Sequence, residues 1–302
     1  MNTRTRVTAI PTLLAAAVAA KIATPTALLA QDEAGPFDDL GLEKLSLVVT
    51  PDSITGMPEE LAAGHYLVEL SGEPMEGETS LGTTLFRFPE GMTLETMPAV
   101  DTNAMMLPEF LYEGGFAGGR TVLLDQGETS SQCVITLTPG DWMISDSMLM
   151  RQPMAFKVTG EISADAPTPA ATLELTMGEM YFHVTGGDLT AGTHILSLTS
   201  MGGQPHFLVM LPLPPGMTND EFEAMFTQMG PEEEASAESG GDGEEEGGPP
   251  VVLVTDIQSL ETTIWTEVEL ASGTYGLACF FPDQHVGMPH VMLGMHAVID
   301  VP

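Results

Sequence analysis

The sequence predicts an all-β protein built from two tandem β-sandwiches, and three observations carry that prediction. Short runs of residues alternate between apolar and polar side chains, as in 267–270 (EVEL). Glycine and proline, 32 and 23 of the 302 residues, bound these runs. Blocks of sequence from the first half recur in the second half in the same order. Alternation with a period of two, broken by frequent turns, is typical of half-buried antiparallel strands, so each half is expected to form a sandwich.

The internal repeat sets the predicted domain organisation. Three segments recur in order, which are 61–70 (LAAGHYLVEL) as 189–198 (LTAGTHILSL), 86–92 as 211–217, and 133–142 as 265–275. Ordered self-similarity of this kind indicates duplicated units. We therefore expect a first unit at 45–160 and a second at 172–302. A linker rich in proline and alanine joins them at 161–171, and another linker precedes the first unit at 31–44.

The second unit is expected to carry one short helix and one acidic insert. Phe222, Met225 and Phe226 recur at helical spacing within 218–229. The insert at 230–250 is acidic and has no large apolar side chain, so it cannot bury enough surface to offset the entropy cost of ordering. We predict a disordered surface loop there. A calcium site is the alternative, although the regular aspartate spacing of an EF-hand is missing.

The charge balance excludes some partner classes. The chain has 43 acidic and 8 basic residues, a net charge of −35. Neutralising phosphates requires lysine and arginine, so we expect neither nucleic acid nor an anionic membrane surface as a partner. The acidic excess fits either adaptation to a saline environment, in which salt screens the repulsion, or attraction of cations or of a basic partner protein.

The N-terminal residues 1–30 read as a secretory signal peptide. Arg4 and Arg6 precede a short apolar run at 7–20, and small residues at 27–30 offer a cleavage site. The run is too short for a membrane span, and Lys21 interrupts it, which disfavours the alternative of an N-terminal anchor. We therefore expect a secreted or periplasmic mature chain without membrane insertion. The oligomeric state is left open.

The loop at 279–295, CFFPDQHVGMPHVMLGM, combines the side chains of a soft metal site. It holds one thiol, Cys279, two imidazoles and several thioethers, including Met295. A further imidazole, His206, shares a strand face with Leu208 and Met210, so it could point inward at the end of the sandwich.

In these residues the second unit resembles the cupredoxin (blue copper) family. Gly273-Thr-Tyr275 leading to Cys279 is similar to the last long strand of that family, and Pro205-His206-Phe207 is similar to the loop that supplies its first imidazole. Cys279, His290 and Met295 follow the family order of ligands along one loop. The resemblance covers 172–302, and the first unit shares the scaffold as a degenerate copy.

The resemblance implies Greek-key sandwiches, a copper cofactor and electron transfer with a redox partner protein. Blue-copper centres use two imidazoles and a thiolate in a plane with a weak axial thioether. The implied metal ligands are therefore His206, Cys279, His290 and Met295. Among the imidazoles of the loop, His290 is preferred because it precedes Met295 by five residues, an interval similar to that of the family. His285 is expected to be a turn residue.

The chain departs from the family pattern in two respects. His290 follows Cys279 by eleven residues, so the loop is long. The asparagine that usually accompanies the first histidine is missing beside His206, which leaves open what orients that imidazole.

The first unit serves as an internal control. Aligned on the shared glycine and aromatic positions, His206 falls on Leu81, Cys279 on Asp146 and Met295 near 154. The segment 146–154 is eight residues shorter than 279–295 and contains no histidine. This favours a site in the second unit and a supporting role for the first.

Other interpretations remain open from sequence alone. Cys279 could be a buried apolar thiol, or it could form a disulfide with Cys133, the only other cysteine. His206 and His290 could be satisfied core imidazoles. The chain has no Gly-x-Ser-x-Gly elbow, Walker loop, dinucleotide fingerprint or His-Glu-x-x-His helix, so we expect no enzyme. The alternative to a copper protein is a non-metal β-sandwich scaffold or interaction protein of an acidic, salt-adapted secretome.

Overall fold

The computed structural model describes residues 35–101, 106–146, 151–227 and 251–302, and strands dominate them. The predicted all-β class is confirmed. The predicted signal peptide at 1–30 and the predicted acidic insert at 230–250 lie outside the described residues.

The strands fall into two sets that follow one another along the chain. Those of the first half are β1 (Glu43–Val49), β2 (Ile54–Thr55), β3 (Glu60–Ala62), β4 (Gly64–Gly72), β5 (Ser80–Leu81), β6 (Thr83–Arg87), β7 (Gly115–Phe116), β8 (Val122–Leu123), β9 (Ser130–Leu137), β10 (Gly140–Asp146) and β11 (Met154–Thr159). Those of the second half are β12 (Leu173–Gly178), β13 (Tyr181–Gly187), β14 (Gly192–Ser200), β15 (Val209–Leu213), β16 (Leu253–Val254), β17 (Thr263–Leu270), β18 (Gly273–Ala278) and β19 (His296–Val301). The predicted linker at 161–171 lies between β11 and β12.

The sequence repeat reappears in the topology of the sheets. In the first half β1 pairs in parallel with β4, which pairs antiparallel with β9. In the second half β12, β14 and β17 repeat that arrangement. The opposing sheet of the first half contains the order β11-β10-β6-β7, and that of the second half is β19-β18-β15-β16.

Strands β10 and β18, which lead into the segments 146–154 and 279–295, begin with the same kind of hydrogen bond from an aromatic side chain. The Trp142 indole in β10 donates to the carbonyl of Thr138 at 2.9 Å. The Tyr275 hydroxyl in β18 donates to the carbonyl of Ala271 at the same distance. Each aromatic ring thus fastens its strand to the turn four residues earlier, which supports the sequence alignment of the two halves.

The two halves share one sheet. Strand β17 pairs antiparallel with β9, where Thr266 faces Cys133, and this joins both sets into an eight-stranded sheet of order β13-β12-β14-β17-β9-β4-β1-β2. Leu47 and Ile135 of the first half and Leu196 and Leu277 of the second belong to one buried apolar cluster. Residues 35–302 form one compact unit.

The predicted helix is present as α2 (Asn219–Thr227). A capping box starts it, because the Thr218 backbone N–H donates to Glu221 Oε2 at 2.8 Å and the Glu221 N–H donates to Thr218 Oγ1 at 3.3 Å. Its Phe222 is fully buried in a cluster with Val291, so the helix packs against the 279–295 loop.

A further helix, α1 (Phe110–Glu113), lies in the first half, where the sequence analysis predicted none. Four residues are too few to produce a recognisable helical periodicity. Neither helix, nor any other in the described ranges, has the length and apolar character needed to cross a membrane.

Candidate metal centre

The backbone of His206 is held in place by hydrogen bonds to Gln258. The His206 N–H donates to the Gln258 carbonyl at 2.9 Å, and the Gln258 N–H donates back at 2.7 Å. The side-chain amide of Gln258 donates to the carbonyls of Leu198 and Thr262, both at 3.0 Å. This buried glutamine therefore anchors the segment that carries His206 to the end of β14.

The loop between β18 and β19 folds back on itself. The Val291 N–H donates to the Cys279 carbonyl at 2.7 Å, and the Met295 N–H donates to the His290 carbonyl at 2.9 Å. A 3-10 turn spans His290–Leu293 and ends at Gly294, whose φ of 101° is left-handed and suits glycine. These bonds bring the start and the end of the loop together.

The structure brings three of the four predicted ligands into one cluster. Nδ1 of His206 lies 3.0 Å from Nδ1 of His290, and Sγ of Cys279 lies 3.9 Å and 3.6 Å from these two nitrogens. All three side chains are fully buried. Together they form a group that could hold a metal ion.

The spacing of these donor atoms suits a shared metal ion. A metal bonded to imidazole nitrogen at about 2.0–2.1 Å and to thiolate sulfur at about 2.3 Å keeps such donors roughly 3.3–3.8 Å apart. The three distances in the protein lie within a few tenths of an ångström of that range. One thiol with two imidazoles is a donor set of the copper type.

Burial decides the protonation of this cluster in the metal-free chain. It raises the pKa of the Cys279 thiol to about 12, so the thiol stays protonated at neutral pH. It also lowers the pKa of His206 and of His290, and for His206 the adjacent His290 imidazole adds to the effect. Both rings are therefore neutral, and their nitrogen lone pairs are available to a metal.

Met295 and His285 occupy different surroundings. Met295 is fully buried at the end of the loop, and its carbonyl accepts from the Cys279 N–H at 3.3 Å. His285 is exposed in a turn, and its Nε2 lies 3.0 Å from the side-chain nitrogen of Gln284. Its side chain is outside the buried cluster of Cys279 and the two histidines.

A polar network that the sequence analysis missed joins the two ligand-bearing segments. The Gln204 amide donates to Glu179 Oε1 at 3.0 Å and to Asp283 Oδ2 at 2.8 Å, and its oxygen accepts from the Gln284 N–H at 2.7 Å. Asp283 also caps the turn at His285. The paired glycines just before Gln204 and His206 were the available signal, because adjacent glycines indicate close approach of other groups.

The first half touches the ligand loop through aromatic residues. The Tyr112 hydroxyl donates to the Pro282 carbonyl at 2.9 Å. The ring of Phe281 lies 5.7 Å from that of Tyr112, 6.3 Å from that of Phe116 and 6.0 Å from that of His290. The first half thus contributes packing at the site and no ligand atom among its described residues.

An ion-pair cluster stands at the equivalent place in the first half. Asp146, the position aligned with Cys279, lies 3.7 Å from the guanidinium of Arg151 and accepts its backbone N–H at 2.7 Å. Arg151 also makes two bonds to Glu78, at 3.0 and 2.8 Å. Asp146 and Arg151 are both buried.

The disulfide left open by the sequence is absent. Cys133 lies in β9 and Cys279 follows β18 in the opposing sheet, and both are buried free thiols.

Comparison with known proteins gives likenesses of structure alone. No protein-family profile matches the chain, and no curated protein matches it. The reduced auracyanin of Roseiflexus castenholzii is 19% identical, with 43% of this chain and 94% of that one covered at a TM-score of 0.28. Auracyanin A of Chloroflexus aurantiacus, described as a "blue" copper protein, is 15% identical, with 43% and 99% covered at a TM-score of 0.26.

A larger protein matches across both halves. The multi-copper oxidase of Pediococcus acidilactici is 11% identical, with 87% of this chain and 59% of that one covered at a TM-score of 0.23. These likenesses to auracyanins and to a multi-copper oxidase are all at low identity and concern the fold alone.

Proposed function

We propose that this chain is an exported copper-binding protein that carries electrons to or from a redox partner protein. The observation that supports this most is the fully buried cluster in which Cys279 Sγ, His206 Nδ1 and His290 Nδ1 lie within 3.9 Å of one another. Export and the partner rest on the N-terminal sequence and on the cupredoxin resemblance of 172–302. In the same proposal the protein transfers electrons and catalyses no reaction of its own.

Each residue of the cluster has a distinct role in this proposal. Cys279 supplies a thiolate after losing its proton, and His206 and His290 supply neutral imidazole nitrogens. Met295 is proposed as a weak axial thioether, since such donors complete blue-copper sites. When bound, copper supplies a one-electron couple, and this mixture of soft and borderline ligands suits both of its oxidation states.

The surrounding residues would keep the ligands in place between the two oxidation states. Gln258 fixes the His206 backbone, and the hydrogen bonds across the 279–295 loop fix Cys279 and His290. Full burial excludes water from the three ligands. Ligands that the fold already holds together need little movement to bind a metal, and this pre-organisation reduces the free-energy cost of rearranging them.

The test is a titration of metal-free protein with Cu(II), followed by absorbance in the visible range. We expect an intense thiolate-to-copper band in the unaltered protein and none in Cys279→Ser, because a hydroxyl does not replace a soft thiolate. Cys133→Ser is the matched control, since Cys133 is equally a buried free thiol and should leave the band unchanged.

The opposite result would favour the scaffold alternative. If the unaltered protein binds neither Cu(II) nor Cu(I) tightly and shows no band, the copper function is refuted. A band that survives Cys279→Ser would refute the assignment of the thiolate ligand.

A further inference from the structure

A carboxylate from outside both ligand-bearing segments faces the far side of the His206 ring. Glu179 lies in the turn between β12 and β13, and its Oε2 is 3.8 Å from Nε2 of His206. The Glu179 side chain is 45% exposed, whereas that of His206 is fully buried. A buried ring nitrogen therefore has a partly solvated carboxylate beside it.

The ring chemistry of His206 requires an acceptor at this place. Its Nδ1 faces Cys279 and His290, so a neutral ring that offers Nδ1 to a metal carries its proton on Nε2. Nε2 has no hydrogen-bond partner within the described residues. A buried N–H without an acceptor is costly, and Glu179 Oε2 is the carboxylate oxygen recorded within 4 Å of it.

Gly202 leaves the space between Glu179 and the His206 ring free, because glycine has no side chain. A β-carbon at Gly202 would collide with Nε2 of His206 and would stand 3.1 Å from Oε2 of Glu179. The backbone at Gly202 is not in the left-handed region, so glycine is not required there for conformation. Glycine at position 202 instead allows the Glu179 carboxylate to lie close to the His206 ring.

Glu179 is itself held in position by the segment that carries His206. Its Oε2 accepts from the Gly203 N–H at 2.7 Å and its Oε1 accepts from the Gln204 side chain at 3.0 Å. The next residue, Met180, has a φ of 61°. This left-handed conformation is unfavourable for a residue other than glycine, and such strain persists where the surroundings over-determine it.

We propose that Glu179 is a positioning residue for the metal centre, whose carboxylate closes from 3.8 Å to hydrogen-bond distance and accepts the Nε2–H of His206 when the metal is bound. This contact selects the ring form in which His206 Nδ1 is free for the metal and makes that nitrogen a stronger donor. Carboxylates that bind the second nitrogen of a ligating histidine act in this way. Glu179 would then orient the imidazole whose orientation the sequence left open. The inference rests on the proposed copper function.

The proposal implies a preference for the oxidised metal. A more basic imidazole beside a negative carboxylate stabilises Cu(II) more than Cu(I). Glu179→Gln should therefore weaken Cu(II) binding by about 10–100-fold, as expected for loss of such a partner. Cu(I) binding should change less, so the reduction potential should rise, by about 59 mV for each tenfold change in the ratio of the two affinities.

The experiment compares Glu179→Gln with Glu174→Gln in the full chain. Glu174 is an exposed residue of β12, the strand that leads into the turn of Glu179, so its variant removes the same charge from the same hairpin. The measurements are the Cu(II) affinity, the reduction potential and the melting temperature without metal. We expect Glu174→Gln to leave the affinity and the potential near those of the unaltered protein.

A second variant covers the case in which Glu179→Gln fails to fold. Glu179→Asp keeps the negative charge but draws the carboxylate away from the His206 ring by one methylene, and we expect a rise in potential that is smaller than that of Glu179→Gln. No copper band in the unaltered protein overturns the proposed function and this inference together. A normal band with unchanged affinity and potential in both variants overturns the inference alone, even if their melting temperatures fall, because Glu179 would then serve only the fold.

Discussion

The buried ion-pair cluster of the first half should be essential for stability, and Arg151→Met tests this. Arg151 is 2% exposed and binds both carboxylate oxygens of Glu78 while it lies 3.7 Å from Asp146. Its Nε also donates to the Thr50 carbonyl at 2.6 Å. Methionine keeps much of the side-chain volume but leaves the two carboxylates without their cation.

The expected cost follows from this burial. Removing one partner of a buried ion pair destabilises a protein by about 3–5 kcal/mol, because the remaining charge is uncompensated. Asp146 is 3% exposed, so water cannot replace the guanidinium there. For a chain of this length the loss corresponds to a fall in melting temperature on the order of 10 °C.

The loss should also depend on pH in a definite direction. The hydrogen bonds from Arg151 lower the pKa of Glu78 below its ordinary 4.5. A carboxylate with a lowered pKa contributes stability above its ordinary pKa and loses that contribution as the pH falls through the folded-state value. The difference between Arg151→Met and the unaltered protein should therefore be full at neutral pH and smaller at about pH 3.5.

The assay is urea unfolding of the metal-free protein at both pH values, with the free energy obtained by linear extrapolation. Lys157→Met is the control, since Lys157 is exposed and its loss also makes the net charge of −35 one unit more negative. If Arg151→Met costs less than about 1 kcal/mol at neutral pH, or no more than Lys157→Met, the reasoning on buried pairs is refuted.

Two further predictions concern other charges. Burial raises the pKa of Asp256 to about 7, and its Oδ1 accepts a hydrogen bond from Thr121 at 3.3 Å. Because a carboxylate with a raised pKa opposes folding once it ionises, the free energy of unfolding should fall between about pH 4 and pH 8. Asp256→Asn should remove most of that fall and add about 2–4 kcal/mol at pH 8, and a variant whose urea midpoint still follows the unaltered curve would contradict this. Salt should raise the melting temperature, because the Debye length shrinks from about 30 Å at 0.01 M to about 3 Å at 1 M and the repulsion among the acidic residues is then screened. A melting temperature independent of NaCl concentration would show that this repulsion does not limit the stability of the fold.

The sequence was sufficient to predict the strand class and to single out three residues that the fold brings close together. Period-two alternation reports which side of a strand is buried, and this was enough for β14 and β17. The order of Cys279 and His290 along one loop made their proximity predictable, because a hairpin loop brings its own two ends together. His206 required the resemblance as well, since no local pattern links it to a loop more than seventy residues later.

Other parts of the site depend on contacts that one sequence does not encode locally. Glu179 reaches His206 only because β12 pairs in parallel with β14 and so carries its turn to the same end of the sheet. The pairing of β9 with β17, which merges the two halves, rests on matching strand edges rather than on a motif. The bond between Arg151 and Glu78 likewise joins residues that are 73 apart in the sequence.

The comparison of the two halves explains why one end of the fold is suited to a metal and the other is not. Residues 279–295 separate β18 from β19, which leaves enough chain for the 3-10 turn that brings His290 back to Cys279. Only 147–153 separate β10 from β11. With that shorter segment the first half has an acidic residue, Asp146, where the second has a thiol, and a guanidinium supplies the positive charge that buried carboxylates require. A guanidinium has no lone pair to offer and needs no ligand geometry, so the same place in the fold holds a structural ion pair in the first half and, in the second, a group of side chains that could hold a metal ion.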